Sequence, residues 1–86
     1  MFYVYILKSL KDGNLYTGST GDLKKRLWEH NSGLNKSTKP RRPFILIYYE
    51  ACLAEDDARK RERALKKDGR ALAQLKKRIS QSLKAR

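Results

Sequence analysis

The chain alternates between short apolar runs and longer polar stretches. Residues 2–8 (FYVYILK) and 44–50 (FILIYYE) are apolar and aromatic throughout, without alternation between polar and apolar positions. Runs of this kind are typical of strands that are covered on both faces. Asp12-Gly13 is a turn signal between two extended segments. The pattern therefore predicts a β-hairpin over residues 2–19 and a third strand over 44–50.

The first helix is predicted from about Leu23 to Ser32. Thr20 or Asp22 can cap its N terminus, because a short side-chain oxygen accepts from free backbone N–H groups. Gly33 is suited to end the helix, because glycine adopts the left-handed conformation found after many helices. The apolar spacing assigns the core face to Leu23, Leu27, His30 and Leu34.

Two further helices are predicted over residues 54–67 and 71–83. The first of them begins with acidic residues and ends with basic ones, which suits the helix dipole. The intervening stretch 35–43 (NKSTKPRRP) is predicted to be a loop, because it contains two prolines and several cations.

The predicted order is strand, strand, helix, loop, strand, helix, helix. This order indicates an α+β fold, with a three-stranded, largely antiparallel sheet flanked by helices. The length of 86 residues is that of a single domain. We expect residues 1–86 to form this one domain, with its core in 2–80 and a basic tail, 81–86, that frays.

The charge balance of the sequence indicates what kind of partner the protein would bind. Lys and Arg number 21 against nine Asp and Glu, which gives a net charge of +12. So strong a field attracts polyanions, of which nucleic acid is the first candidate and an anionic membrane surface the second. The apolar stripe of the last helix fits a lipid surface, but in so small a domain it is expected to cover the sheet instead. The N-terminal run is too short to span a bilayer and lacks a basic leader. We therefore expect no membrane partner and a cytoplasmic location, with association with the nucleoid as an option.

Three polar residues, Arg26, His30 and Glu62, fall on helix faces that should be apolar. Each has an ordinary structural interpretation, such as pairing of Glu62 with Lys66 one helical turn later. Taken together they match the requirements of phosphodiester hydrolysis. That reaction uses a carboxylate to hold Mg²⁺, a cation to offset developing charge and a proton acceptor to activate water.

The sequence resembles the GIY-YIG nuclease superfamily. The resemblance rests on YVY (3–5) with YTG (16–18), DLKKRLWEHNSG (22–33), RPFILIYYE (42–50) and ARKRERALKK (58–67). It extends over nearly the whole chain and is greatest to small stand-alone bacterial members. The nuclease modules of the UvrC repair protein and branched-DNA nucleases are also similar. Tyr3 stands where the first motif has glycine, and Thr17 where the second has isoleucine.

The resemblance implies a role for each candidate residue. Tyr16 would be the general base or would orient the attacking water, and Tyr5 would form a hydrogen bond at the same centre. Arg26 would stabilise the transition state, and His30 would assist proton transfer or hold the phosphate. Glu62 would ligate a single divalent metal ion.

The remaining candidate is Gly18, which would leave space beside the two tyrosines. A glycine within a strand often marks a close approach to the backbone. We expect a scissile phosphate and its attacking water to make that approach.

The leading hypothesis is a DNA endonuclease that depends on Mg²⁺ or Mn²⁺ and acts in DNA repair, recombination or processing. Its expected partner is duplex or branched DNA, with RNA as an option and a protein partner as a source of specificity. The alternative is a nucleic-acid-binding module with weak or absent catalysis. In both cases the phosphate contacts are assigned to Lys24, Lys25, Lys36, Lys39, Arg41 and Arg42.

Overall fold

Three strands form one antiparallel sheet with the order β2-β1-β3, which confirms the predicted α+β fold. The computed structural model describes residues 1–85. The elements are β1 (Phe2–Ser9), β2 (Leu15–Thr20), α1 (Leu23–Ser32), β3 (Phe44–Cys52), α2 (Glu55–Lys67) and α3 (Gly69–Arg78), with single 3₁₀ turns at Lys39–Arg41 and Ser82–Lys84.

Helices cover both faces of the central strand β1. Val4 and Ile6 point to one face, where they form an apolar core with α2 and α3. Tyr5 and Leu7 point to the other face, where they pack with residues of α1. All four side chains are at most 1% exposed. The continuous apolar run was therefore correctly interpreted as a strand covered on both sides.

Helix α1 begins and ends where local signals predicted. Asp22 is the N-cap, and its Oδ1 accepts a hydrogen bond from the backbone N–H of Lys25 at 3.1 Å. Thr20, the other candidate cap, instead accepts from the backbone N–H of Asp22. Gly33 ends the helix with φ of 80°, in the left-handed region. Leu34 follows this reversal and is exposed, so its assignment to the core face was wrong.

The last part of β3 is open to solvent on one face. The prediction that residues 44–50 are covered on both sides fails there, because Tyr49 is 52% exposed. β3 is an edge strand, and a bulge shifts its register against β1 so that Ile47 has no partner. Helix α1 covers only the beginning of this face, which leaves Tyr49 uncovered.

The chain turns away at the end of α3 earlier than predicted. The helix ends at Arg78 instead of continuing to residue 83. The Nζ atom of Lys8 then donates to the backbone oxygen of Leu83 at 2.7 Å and to that of Ala85 at 3.3 Å. The described part of the expected frayed tail thus lies against β1, while Arg86 lies outside the described residues. Within residues 1–85, the helices are all too short or too polar to cross a bilayer.

Candidate active site

A chain of hydrogen bonds links Tyr5 to the end of α1 and the following loop. The hydroxyl of Tyr5 lies 2.9 Å from Nε2 of His30, and Nδ1 of His30 lies 2.8 Å from Oγ1 of Thr38. Thr38 in turn makes a long bond of 3.4 Å to the backbone oxygen of Asn35, which can only accept. Thr38 therefore donates to Asn35 and accepts from Nδ1–H of His30. In this tautomer Nε2 is unprotonated and accepts a hydrogen bond from the hydroxyl of Tyr5.

Both ends of this network are enclosed. His30 and Thr38 are 0% exposed and Tyr5 is 1% exposed. Burial lowers the pKa of His30, and the nearby charge of Arg26 lowers it further. The imidazole is thus held neutral. In this arrangement the enclosed His30 cannot touch a phosphate directly.

Tyr16 brings a second tyrosine to the same face of the sheet. It lies opposite Leu7 on β1, beside Tyr5, whose ring centre is 6.4 Å away. The ring of His30 meets Tyr16 edge-on with a centroid distance of 4.9 Å. Unlike Tyr5, Tyr16 is only half-buried. It is therefore the tyrosine that a substrate can reach.

Arg26 lies above Tyr5, one turn before His30 on α1. Its Nη1 donates to Oε1 of Glu29 at 3.1 Å, which aims the guanidinium along the helix. Burial raises the pKa of Tyr5 to about 12; hydrogen bonding to Arg26 opposes this rise, while the charges of Tyr16 and Glu62 add to it. The phenol of Tyr5 is thus protonated at neutral pH and is unsuited to act as a base.

Glu62 lies on α2, on the other side of the sheet from α1, at the edge formed by β2. Its Oε1 accepts from the hydroxyl of Ser19 at 2.5 Å, and its Oε2 lies 2.8 Å from Nζ of Lys66. Burial raises the pKa of Glu62, but the bonds from Lys66 and Ser19 lower it more, so the pKa of this carboxyl lies below its ordinary value. Lys66 also lies 5.6 Å above the ring of Tyr16, which joins Glu62 to the tyrosine face.

Gly18 lies directly opposite Tyr5 in the hairpin. A Cβ atom built on Gly18 would lie 2.6 Å from Cζ of Tyr5 and still closer to its hydroxyl. The space that the glycine leaves is therefore filled by the phenol of Tyr5. We expected a phosphate in this space, and the structure places a side chain of the protein there instead.

Four of the candidate side chains thus lie around the fifth, Tyr5. His30 bonds to it, Tyr16 lies beside it, and the charges of Arg26 and Glu62 affect its pKa. Tyr16, Arg26 and Glu62 are half-buried and face solvent at the β2 edge, whereas the other two are enclosed behind them. An open depression of about 480 Å³ runs from Ser19 past Gly21 to Arg26 and Glu29.

The six basic residues assigned to phosphate contacts fall into three groups. Lys24 and Lys25 are exposed on α1 and border depressions beside the site. Lys36, Lys39 and Arg42 line a separate open depression of about 540 Å³ with Lys11.

Arg41 differs from the other five. Its Nε lies 2.9 Å from Oδ2 of Asp12, and its guanidinium lies 5.5 Å above the ring of Phe44. These contacts tie the loop to the hairpin, so Arg41 has a structural role in this arrangement.

Sequence reasoning missed three residues of the site: Ser19, Thr38 and Lys66. Ser19 and Thr38 carry no local signal, because their partners are far along the chain. Lys66 did carry one, since it follows Glu62 by four residues, and that pair forms as the ordinary interpretation predicted. What the spacing could not show is that this ion pair lies against Tyr16.

The fold and this cluster define an α+β domain with a polar site at one edge of its sheet. The GIY-YIG catalytic domain family matches residues 1–79, and the chain belongs to this family. UPF0213 protein SSP2268 of Staphylococcus saprophyticus is 48% identical over 65 residues, which cover 74% of this chain and 78% of that protein. A UPF0213 protein of Syntrophus aciditrophicus is 48% identical over 71 residues, or 80% of each chain.

A solved structure is also similar. The solution NMR structure of UPF0213 protein BH0048 from Bacillus halodurans superposes with a TM-score of 0.53 and 40% sequence identity. The match covers 87% of this chain and 82% of that one. The small bacterial relatives expected from the motifs are therefore found, and their names state no activity.

GIY-YIG nucleases use a divalent metal ion, and Glu62 is the residue here that fits one. Within residues 1–85, no three His, Cys, Asp or Glu side chains cluster around a common point. Glu62 would nevertheless offer an ionised carboxylate oxygen to such an ion, since its pKa is lowered and it is only half-buried. A single carboxylate suits Mg²⁺, which keeps several waters and takes substrate phosphate oxygens as further ligands.

Proposed function

We propose that this protein is a divalent-metal-dependent endonuclease that hydrolyses a phosphodiester bond of DNA. The observation that carries the proposal is the convergence of Tyr16, Arg26 and Glu62 at one solvent-facing edge, with the Tyr5–His30 pair behind them. The GIY-YIG family and the net charge of +12 support a nucleic acid as substrate.

Tyr16 is the residue that we assign to the attacking water. It is the accessible one of the two central tyrosines, and Lys66 lies over its ring. Its hydroxyl can accept a hydrogen bond from a water molecule and so orient that water for attack. Tyr5 cannot take this part, because it is 1% exposed and its hydroxyl is engaged with Nε2 of His30.

Arg26 is assigned to the phosphoryl oxygens. Hydrogen bonding to Tyr5 raises the pKa of Arg26, so the guanidinium remains charged at every physiological pH. Tyr5 and Glu29 hold this charge in place before substrate binds. A fixed cation at the point where negative charge develops lowers the barrier without reorganisation.

Glu62 would hold the metal ion, and Ser19 would orient the carboxylate by donating a hydrogen bond to Oε1. Mg²⁺ is the ion that we favour, and Mn²⁺ is expected to replace it, because both accept hard oxygen ligands. When bound, such an ion lowers the pKa of water and neutralises charge on the phosphate.

Nicking of supercoiled plasmid by the purified protein tests this assignment. We expect cleavage with Mg²⁺, none with EDTA, and a loss of about 10²–10³-fold in Arg26→Gln, the scale on which such charge stabilisation acts. Arg63→Gln, at an exposed position on α2, is the matched control and should retain activity.

Tyr16→Phe separates the two functional classes. If the protein is an endonuclease, this variant keeps DNA binding and loses nicking. Binding by the wild type without nicking under any divalent metal would instead identify a nucleic-acid-binding module. Nicking of branched DNA in preference to linear duplex would support a role in DNA repair or recombination.

A further inference from the structure

A second aromatic pair lies beside the proposed site and takes no part in it. Tyr3 on β1 and Tyr49 on β3 meet edge-to-face, with ring centroids 5.8 Å apart. Tyr49 lies directly opposite Tyr5 in the β1–β3 pairing, so the pair continues the tyrosine face of the sheet. Tyr49 is 52% exposed. A large aromatic ring on an uncovered sheet face has a surface available to a ligand.

The pair borders an open depression of about 330 Å³. Its other walls are the turn and the first residues of α1, from Gly21 to Lys24. The volume is within the range of about 300–1,000 Å³ that is usual for small-molecule sites. Gly21 and Asp22 also border the depression that reaches Arg26, so the two adjoin one another.

The charges around this depression favour an anionic strand. Lys24 borders it, and Lys25 and Arg26 border the adjoining one. Asp22 is the acidic residue at the boundary, and its Oδ1 is engaged as the cap of α1 by the backbone N–H of Lys25. A strand that enters along the basic side of α1 would bring its phosphates to Arg26 and its bases to the tyrosines.

We propose that Tyr3 and Tyr49 form a stacking platform for an unpaired nucleobase of the strand that is cleaved. This inference rests on the proposed function and names its substrate class, which is nucleic acid with an unpaired nucleotide beside the scissile bond. In duplex DNA both faces of a base are covered by its neighbours, whereas an unpaired base can lie on an aromatic ring. Stacking of this kind tolerates any base, because every base has a π-face.

The experiment compares two labelled oligonucleotides with the same number of phosphates. One is oligothymidylate and the other carries abasic sites in its central positions, so only the first can stack. Binding is measured by fluorescence anisotropy in EDTA, where no cleavage occurs. We expect the wild type to bind oligothymidylate about tenfold more tightly, as stacking of one base provides.

Substitutions at position 49 test whether the Tyr3–Tyr49 platform causes the tighter binding of oligothymidylate. Tyr49→Thr removes the ring but keeps a residue that favours strands, and it should bind both oligonucleotides equally. Tyr49→Phe keeps the ring and should keep the preference. Equal binding of both by the wild type, or a preference that survives Tyr49→Thr, would overturn the inference.

The alternative occupant of this face is a second copy of the chain. Sedimentation of the wild type and of Tyr49→Thr tests it: a dimer that dissociates in the variant would overturn the stacking assignment, and monomers in both cases support it. Plasmid nicking, measured separately, reports on the proposed function. Nicking without any preference for bases rejects only the platform, whereas a preference without nicking rejects only the catalytic proposal.

Discussion

The ammonium group of Lys66 lies 2.8 Å from Oε2 of Glu62, the residue that we assign to a divalent metal ion. A lysine and a metal ion cannot share this carboxylate without mutual repulsion. Lys66 therefore competes with the ion for Glu62.

The substitution Lys66→Met should strengthen metal binding. The ion pair is partly exposed, so the expected gain is about two- to fivefold in affinity, the scale of such pairs. Titration of the metal-free protein with Mn²⁺, followed by electron paramagnetic resonance, measures it. Lys67→Met changes the charge equally at the next position and should alter affinity less. Weaker binding in Lys66→Met than in Lys67→Met would show that Lys66 supports the metal site.

Thr38 positions His30 through the bond to Nδ1. In Thr38→Val the buried nitrogen loses its partner, which should cost about 1–3 kcal/mol in the free energy of unfolding. The substitution should also lower the rate of nicking, because the imidazole no longer holds Tyr5. Urea denaturation and plasmid nicking measure the two effects.

The conservative variant Thr38→Ser keeps the hydroxyl group and should recover both properties. If Thr38→Val keeps the wild-type stability and activity while Thr38→Ser loses them, the methyl group is what matters at this position, and the hydrogen bond is not.

His30 makes stability depend on pH. Its pKa is lowered in the folded protein by burial, so below the unfolded value of about 6.5 the unfolded chain binds more protons. Stability is then fully present above about pH 6.5 and falls as the pH drops towards the lowered value. Because His30 is the only histidine in the sequence, its ring proton NMR signal reports the titration directly. A midpoint above 6.5 would contradict the neutral, buried imidazole.

Gly18→Ala should displace Tyr5. The new Cβ would lie 2.6 Å from Cζ of a ring that is enclosed on all sides, so either strand or ring must move. Overpacking of this kind costs about 1–3 kcal/mol, and we expect that loss in urea denaturation. Gly69→Ala is the control, since nothing lies within 4 Å of a Cβ there. Equal stability of the two variants would mean that Tyr5 moves aside freely.

Local signals in the sequence predicted the fold well. The cap at Asp22 and the reversal at Gly33 bound α1, because both act on their own helix terminus. The C-terminal helix was extended too far. Leu72, Leu75, Ile79 and Leu83 continue a helical spacing, but the chain bends after α3 so that Lys8 can bind the backbone oxygen of Leu83. The spacing of apolar residues along one helix cannot show such a contact, because the two residues are far apart in the sequence.

The candidate site was predicted from motifs and not from physical chemistry alone. The motifs named Tyr5 and the four side chains that lie around it. The motifs did not identify Thr38 and Ser19, because each is hydrogen-bonded to a residue in another part of the chain. Tyr49 was missed for a different reason: an apolar run shows that a strand has covered faces, but not where the cover ends.

The central claim is that Glu62 is a metal ligand of a nuclease, and Glu62→Gln tests it most directly. Glutamine keeps the size of the side chain and removes the charge that holds the ion. Glu55→Gln, on the same helix and paired with Arg59 at the surface, is the matched control. With Mg²⁺ and supercoiled plasmid, we predict that Glu55→Gln nicks like the wild type and that Glu62→Gln does not nick. Nicking by Glu62→Gln at the wild-type rate would contradict the assignment.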